Sequence, residues 1–325
     1  MLELFRTNQF IANVLLLFYI ALLRFSVFLY PPTQEVGASG ILSESLLSLV
    51  DPQSWLAASL SILLLFIQAI LLNIIVSRYR MASELSLFPG LLYILLCSSI
   101  PEFLSLSPPF LANTFLLIAL LELFDVYKRN RVAGEIFNAG FWLALASLCY
   151  MPYISFLLLT FIGLGILRAV RLRESWMLLI GFAVPYLLSN VYYFWNDRLA
   201  DFWQIQFAYI IGWPDFPAID LEISIKLAFF GGLLLFVVFN INRYAFKKNI
   251  QVQKNIQILY WSLLLAGMAC LFVPQLALSH LLLLCPALAV FLSFSFLNAN
   301  RQTSEAIHLI LLVAVLLLQF KPLWI

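Results

Sequence analysis

Residues 10–30 read FIANVLLLFYIALLRFSVFLY, an apolar run interrupted by one cation, Arg24, and closed by Pro31-Pro32. A run of about 20 apolar residues matches a hydrocarbon core about 30 Å thick, so this stretch reads as a transmembrane helix. It is too long for the h-region of a secretory signal and lacks a convincing small-residue cleavage site, so it is expected to be retained. The rest of the chain repeats the pattern. Of 325 residues 64% are hydrophobic and 10% charged, with a mean hydropathy of +1.01. That leaves too little polar surface to cover a water-soluble globule. The expected fold class is all-α, a polytopic transmembrane helix bundle of about eleven spans forming a single integral membrane domain, 1–325.

Apolar runs bounded by Pro, Gly or charge clusters place the spans at roughly 9–30, 55–77, 86–100, 110–126, 135–150, 153–169, 175–195, 223–241, 256–273, 279–297 and 305–321. Within 135–169, Tyr150-Met151-Pro152-Tyr153 marks a break between two helices, because proline restricts the residue before it and cannot donate in a helix. With these spans, 14 of the 18 Lys and Arg residues fall in alternate loops on one side. The positive-inside rule makes that side cytoplasmic, together with the N-terminus, and the odd span count puts Ile325 outside. Agreement across every alternate loop supports the count, since one missed helix would scramble the signs after it. A bacterial inner membrane is the expected location.

The external side carries nine of the sixteen acidic residues and two long loops, 31–54 and 196–222. Each has apolar residues at helical spacing, Ile41, Leu42, Leu46, Leu47 and Leu49 in one and Phe202, Trp203, Ile205, Phe207 and Ile210 in the other, so each predicts a short interfacial helix. Aromatic residues near the span ends, such as Tyr30, Trp55, Trp176 and Trp195, fit interfacial belts.

Several function classes find no support. A net charge of +2 with scattered cations argues against nucleic acid as a partner. Cys97, Cys149, Cys270 and Cys285 lie in apolar stretches, where a thiol packs as a small hydrophobe. His280 and His308 begin successive antiparallel spans, so they belong to opposite faces and cannot share a metal. No metal and no cofactor are expected. Gly163-Leu164-Gly165 and Gly231-Gly232 sit in apolar helices, where small residues permit close packing and form no phosphate loop.

Arg24 is the most informative residue, because an arginine well inside an apolar helix is costly unless it snorkels or finds a partner. It either snorkels to the external headgroups or faces a polar cavity and holds an anion, for which its fork suits phosphate. Glu35, fixed near the surface by Pro31-Pro32-Thr33-Gln34, is either a solvated loop carboxylate or a general base. Glu102 after Pro101, and Asp197, Arg198 and Asp201 after the seventh span, carry the same two readings. Glu122 and Asp125 resemble an ion path less, since Asp125 can pair with Arg129 one turn on.

The layout resembles the membrane glycosyltransferases of the C superfamily. Ser107-Pro108-Pro109-Phe110-Leu111-Ala112-Asn113-Thr114 leads into a helix, and Ala139-Gly140-Phe141-Trp142-Leu143-Ala144-Leu145-Ala146 precedes Tyr150-Met151-Pro152-Tyr153. Both look like that family's fourth to sixth helices, and the long loops follow the first and seventh helices as they do there. The resemblance covers roughly residues 9–222, with 223–325 as further helices. It implies transfer of a sugar from a polyprenyl-phosphate donor at the external face, with Glu35 as the catalytic acidic residue and Arg24, Glu102, Asp197, Arg198 and Asp201 as substrate-binding residues. The family commonly carries Asp or Asp-Glu where this chain has Gln34-Glu35, which leaves a degenerate member open. The chain also resembles polytopic bacterial inner-membrane proteins with no assigned function. The competing class is a non-enzymatic envelope scaffold or lipid or solute carrier. Membrane lipid is the expected partner in every case.

Overall fold

Each stretch expected to span contains a helix in the computed structural model, which describes residue 5 and residues 10–30, 39–169, 171–207, 220–245, 248–271 and 277–319. In chain order the helices are α1 (Phe10–Leu23), α2 (Phe25–Leu29), α3 (Ile41–Leu47), α4 (Trp55–Arg78), α5 (Phe88–Leu96), α6 (Pro108–Asp125), α7 (Ala133–Cys149), α8 (Ser155–Leu167), α9 (Leu172–Trp195), α10 (Leu199–Phe207), α11 (Leu221–Phe239), α12 (Ile241–Ala245), α13 (Ile250–Leu271), α14 (Cys285–Asn298) and α15 (Arg301–Gln319). Short 3₁₀ turns lie at Pro101–Phe103, Met151–Ile154 and Leu278–Leu283. Among the described residues there is no strand. The two interfacial helices expected in the long loops are α3 and α10.

Six helices, α4, α6, α9, α11, α13 and α15, are long and apolar enough to cross a membrane, and the chain is a multi-pass helical membrane protein. The helices within the other predicted spans are shorter. α1, α7, α8 and α14 run to 13–17 residues. α5 is only nine residues, about 14 Å at 1.5 Å per residue, or half the hydrocarbon thickness.

Local sequence explains where the helices begin and end. Ser54 caps α4, its hydroxyl accepting the Ala57 N–H at 3.2 Å. Prolines open α5, α6 and α14 at positions whose N–H has no helical partner. The expected break between α7 and α8 falls at an extended Tyr150 followed by the 3₁₀ turn holding Pro152.

A contiguous apolar core runs from α1 to α15, and α5 lies inside it. All nine of its residues are buried, as are Cys97 to Ile100 beyond it. It packs between α4 and α14. Irregular backbone at membrane depth is tolerated only where protein surrounds it, which is why a half-length helix survives here and not on the outside. α7 and α9 cross at their glycines. A Cβ on Gly140 would collide with the Leu178 carbonyl, and one on Gly181 with the Phe137 carbonyl. By contrast α11 has 11% of its span buried, and Leu221, Leu235, Val238 and Phe239 are exposed, as a lipid-facing helix requires.

The two ends of the bundle differ in charge. At one end Asp125 accepts Arg78 at 2.7 Å and Tyr79 at 2.9 Å, with Arg129 at 3.7 Å. Arg129 also meets Glu135, Arg168 meets Glu174, and Lys254 donates to the Leu167 carbonyl. Lys128 and Lys254 both stand 5.4 Å from the Tyr127 ring centre. The opposite end carries α3, α10 and the N-terminus of α11.

Candidate functional site at the loop-bearing end

The helices of the two long loops meet. Gly40 N–H donates to the Cys149 carbonyl at 2.9 Å, and the Ser43 hydroxyl reaches the same oxygen at 2.6 Å. Gly40 lies so close to the Leu148 carbonyl that no side chain fits. From α10, Gln206 Oε1 accepts the Ile41 N–H at 3.1 Å while its Nε2 donates to the Ser147 carbonyl at 2.8 Å. One buried amide therefore ties both loop helices to the C-terminal turn of α7, directly before the break at Tyr150.

Beneath this cap the interior is polar and well connected. Tyr150 OH is hydrogen-bonded to His280, with the rings stacked at 5.5 Å. Tyr153 OH reaches the Pro109 carbonyl and Asn113 Oδ1, and Asn113 Nδ2 donates to the Leu282 carbonyl at 3.0 Å. Gln68 Nε2 contacts the Phe110 carbonyl and Thr114 Oγ1, while Gln68 Oε1 accepts Tyr93 OH at 2.7 Å. Inside a bundle each such group needs a partner, because an unpaired polar atom costs about 1–3 kcal/mol.

Arg24 belongs to this interior. The helix breaks at it, between α1 and α2, and its side chain is fully buried. Nη1 donates to the Leu104 carbonyl at 3.3 Å, and Nη2 to the Phe103 carbonyl at 3.1 Å and the Cys97 carbonyl at 3.4 Å. The guanidinium lies over the Phe110 ring, 4.8 Å from its centre. It does not snorkel to the surface. It supplies donors to the irregular backbone after α5, to the carbonyl of Cys97 at the helix end and to those of Phe103 and Leu104 at the close of the 3₁₀ turn. Gln319 assists from α15, donating to the Ser98 carbonyl at 2.7 Å and accepting the Ser26 hydroxyl at 3.2 Å.

The other candidates are dispersed around the cap. Glu35 lies outside the described residues. Glu102 accepts Lys226 Nζ at 2.6 Å, and Glu222 approaches the same ammonium at 2.9 Å, a partly buried three-charge cluster between the 3₁₀ turn at Pro101 and α11. Asp197 follows α9 in the left-handed region, φ 55°, which Asp tolerates better than most residues. Arg198 and Asp201 form an exposed pair at 2.8 Å, and the hydrogen bond to Asp201 raises the Arg198 pKa above its ordinary value.

Sequence reasoning missed Lys226 as the partner of Glu102 and Gln206 as the link between loops. The spacing of Glu222 and Lys226 was a signal for one contact; nothing in the sequence pointed to the others. The histidines rest on tyrosines, His280 on Tyr150 and His308 on Tyr19 at 3.0 Å. All four cysteines are buried and free.

No protein-family model, curated protein or solved structure matches the chain.

Proposed function

We propose that the chain crosses a bacterial inner membrane eleven times with its N-terminus in the cytoplasm, and that its loop-bearing end handles a polyprenyl-phosphate-linked sugar in the manner of the C-superfamily glycosyltransferases. The observation that carries this reading is the Gln206 bridge, which brings the helices of both long loops to one place above the break between α7 and α8. A membrane transferase needs such a covered end to hold an acceptor against a lipid-anchored donor. In this reading Glu35 takes the proton of the acceptor hydroxyl as its oxygen bonds to the anomeric carbon. The bond from that carbon to the phosphate oxygen breaks, and the lipid phosphate leaves with the electron pair. Arg198, the exposed partner of Asp201, is assigned to the phosphate, and Asp197, Asp201 and Glu102 are assigned to the rest of the substrate. Arg24 serves by holding the 97–104 segment, since a phosphate would reach its guanidinium only by displacing carbonyls.

The test is native mass spectrometry of the protein in nanodiscs with a polyprenyl-phosphate sugar, followed by a glycan-transfer assay. Support would be a bound donor in the wild type, with transfer abolished by Glu35→Gln while binding persists. No donor retained, or transfer indifferent to Glu35→Gln and Arg198→Ala together, would sink the reading.

The second reading is a non-enzymatic scaffold or carrier. It is favoured by the interior itself, where Arg24, Asn113, Tyr153 and Gln68 bond to backbone carbonyls and to one another. Transport without product, or stable co-purification of partner membrane proteins, would identify it.

A further inference from the structure

Away from the loop-bearing end, α11 rests on α14 and α15 rests on α5, and between them lies a crevice of about 410 Å³. Its volume falls in the roughly 300–1,000 Å³ range of small-molecule sites. The shaft is hydrocarbon, with Leu92, Leu233, Leu292 and Leu311 among its walls. Two further wall residues, Phe236 and Ile307, are also 45% and 44% exposed, so the crevice opens onto the lipid-facing surface.

Its chemistry changes at one end. Asn240, Arg243, Tyr244, Ser295 and Ser304 form a polar lip. Tyr244 OH and Ser295 Oγ bond to each other at 2.5 Å, Asn240 donates to the Phe236 carbonyl, and Ser304 to the Phe296 carbonyl. Arg243 is exposed and, among the described residues, its side chain has no hydrogen bond or ion pair. Among the described residues no Asp or Glu lines the crevice. Along α11, Phe229 to Asn240 spans about 16 Å at 1.5 Å per residue, close to half of a hydrocarbon core of about 30 Å. An apolar shaft one leaflet deep thus ends at a cation, Arg243, that faces no carboxylate among the described residues of the crevice.

We infer that this crevice binds an anionic phospholipid, one acyl chain lying along α11 and α15 and the phosphate headgroup against Arg243. The site is independent of the glycosyltransferase reading, because it lies at the other end of α11 and uses none of the residues assigned to transfer. One arginine near an anionic headgroup contributes about 1 kcal/mol, so the expected preference over a zwitterionic lipid of identical chains is about fivefold.

The experiment is native mass spectrometry of the full chain from nanodiscs with equal phosphatidylglycerol and phosphatidylethanolamine, comparing wild type, Arg243→Ala, Leu233→Trp and Leu235→Trp. The expected result is one phosphatidylglycerol retained by wild type and by the outward-facing Leu235→Trp control, no headgroup preference in Arg243→Ala, and no retained lipid in Leu233→Trp. Because Leu233→Trp could fail to fold, wild type is also photolabelled with phosphatidylglycerol carrying a diazirine in its acyl chain. Labels on Leu92, Leu292 or Leu311 support the site. Labels confined to the outer faces, equal retention of both lipids by wild type, or a folded Leu233→Trp protein retaining lipid as wild type does would overturn it.

Discussion

The Phe103 carbonyl accepts Arg24 Nη2 at 3.1 Å, across 79 positions of sequence and inside a fully enclosed site. A helix that stops within the membrane leaves carbonyls with no N–H to accept, and water is not present to replace them. From the break between α1 and α2, Arg24 supplies donors to Cys97 at the end of α5 and to Phe103 and Leu104 at the 3₁₀ turn that follows. The break between α1 and α2 and the short α5 with its trailing 3₁₀ turn are thus two parts of one arrangement, in which carbonyls of the 97–104 segment are satisfied by the cation at the break.

Arg24→Ala is therefore expected to destabilise the protein by about 3 kcal/mol, since it orphans buried carbonyls at about 1–3 kcal/mol each. Arg24→Lys recovers part of this, because an ammonium cannot reach three oxygens with a planar fork. Reversible unfolding in mixed micelles measures both. An Arg24→Met protein as stable as wild type would show that the carbonyls do not need the cation.

Gln206→Glu should loosen the loop-bearing end without touching the core. A carboxylate still accepts the Ile41 N–H but cannot donate to the Ser147 carbonyl, a loss of about 1–2 kcal/mol. Amide hydrogen exchange is expected to rise in α3 and α10 and to stay unchanged in α6. Identical exchange of α3 and α10 in wild type and Gln206→Glu would mean that the amide does not couple the loops.

Glycines separate into two groups. Gly181→Ala drives a methyl group into the Phe137 carbonyl and should cost about 1–3 kcal/mol, with Gly140→Ala alike. Gly231→Ala and Gly232→Ala meet no atom within 4 Å and should be neutral or stabilising by up to about 1 kcal/mol. The same unfolding assay compares the four, and equal effects at all positions would contradict the α7–α9 crossing.

Membrane orientation is accessible to labelling. Cysteines placed by Asp201→Cys and Arg131→Cys, over a background of four buried native thiols, should react with an impermeant maleimide at opposite faces. Position 201 is expected to label in intact cells and position 131 only after permeabilisation. The reverse pattern would invert the topology; labelling of both from one side would remove an odd number of spans between them.

The helices were legible because a run of apolar residues between charged or proline-bearing ends has few other solutions in lipid. The α7–α8 break was legible in Pro152, and the interfacial helices in the spacing around Leu46 and Trp203. The spacing pointed to a pairing of Asp125 with Arg129, but α6 ends at Asp125 and the 3.7 Å contact is made across the turn that follows. The length of α5 was not legible: residues 86–100 look like a span, and only burial between α4 and α14 lets the helix stop halfway. The need of Arg24 for a partner was evident, yet its partners are backbone carbonyls, which have no sequence identity. Lys226 and Glu102 are 124 positions apart and meet only through the tertiary fold.

The placement of α5 also sets a schedule. Its packing partner α14 begins about 190 residues after α5 ends, and the Ser98 carbonyl waits for Gln319, near the end of the chain. At about 5–20 residues per second, the centre of the bundle stays unfinished for roughly ten to forty seconds after its first half enters the bilayer. Throughout that interval a half-helix with open carbonyls must be sheltered from lipid, so this protein's dependence on the insertion machinery is concentrated in its fifth helix and relieved only by its last two.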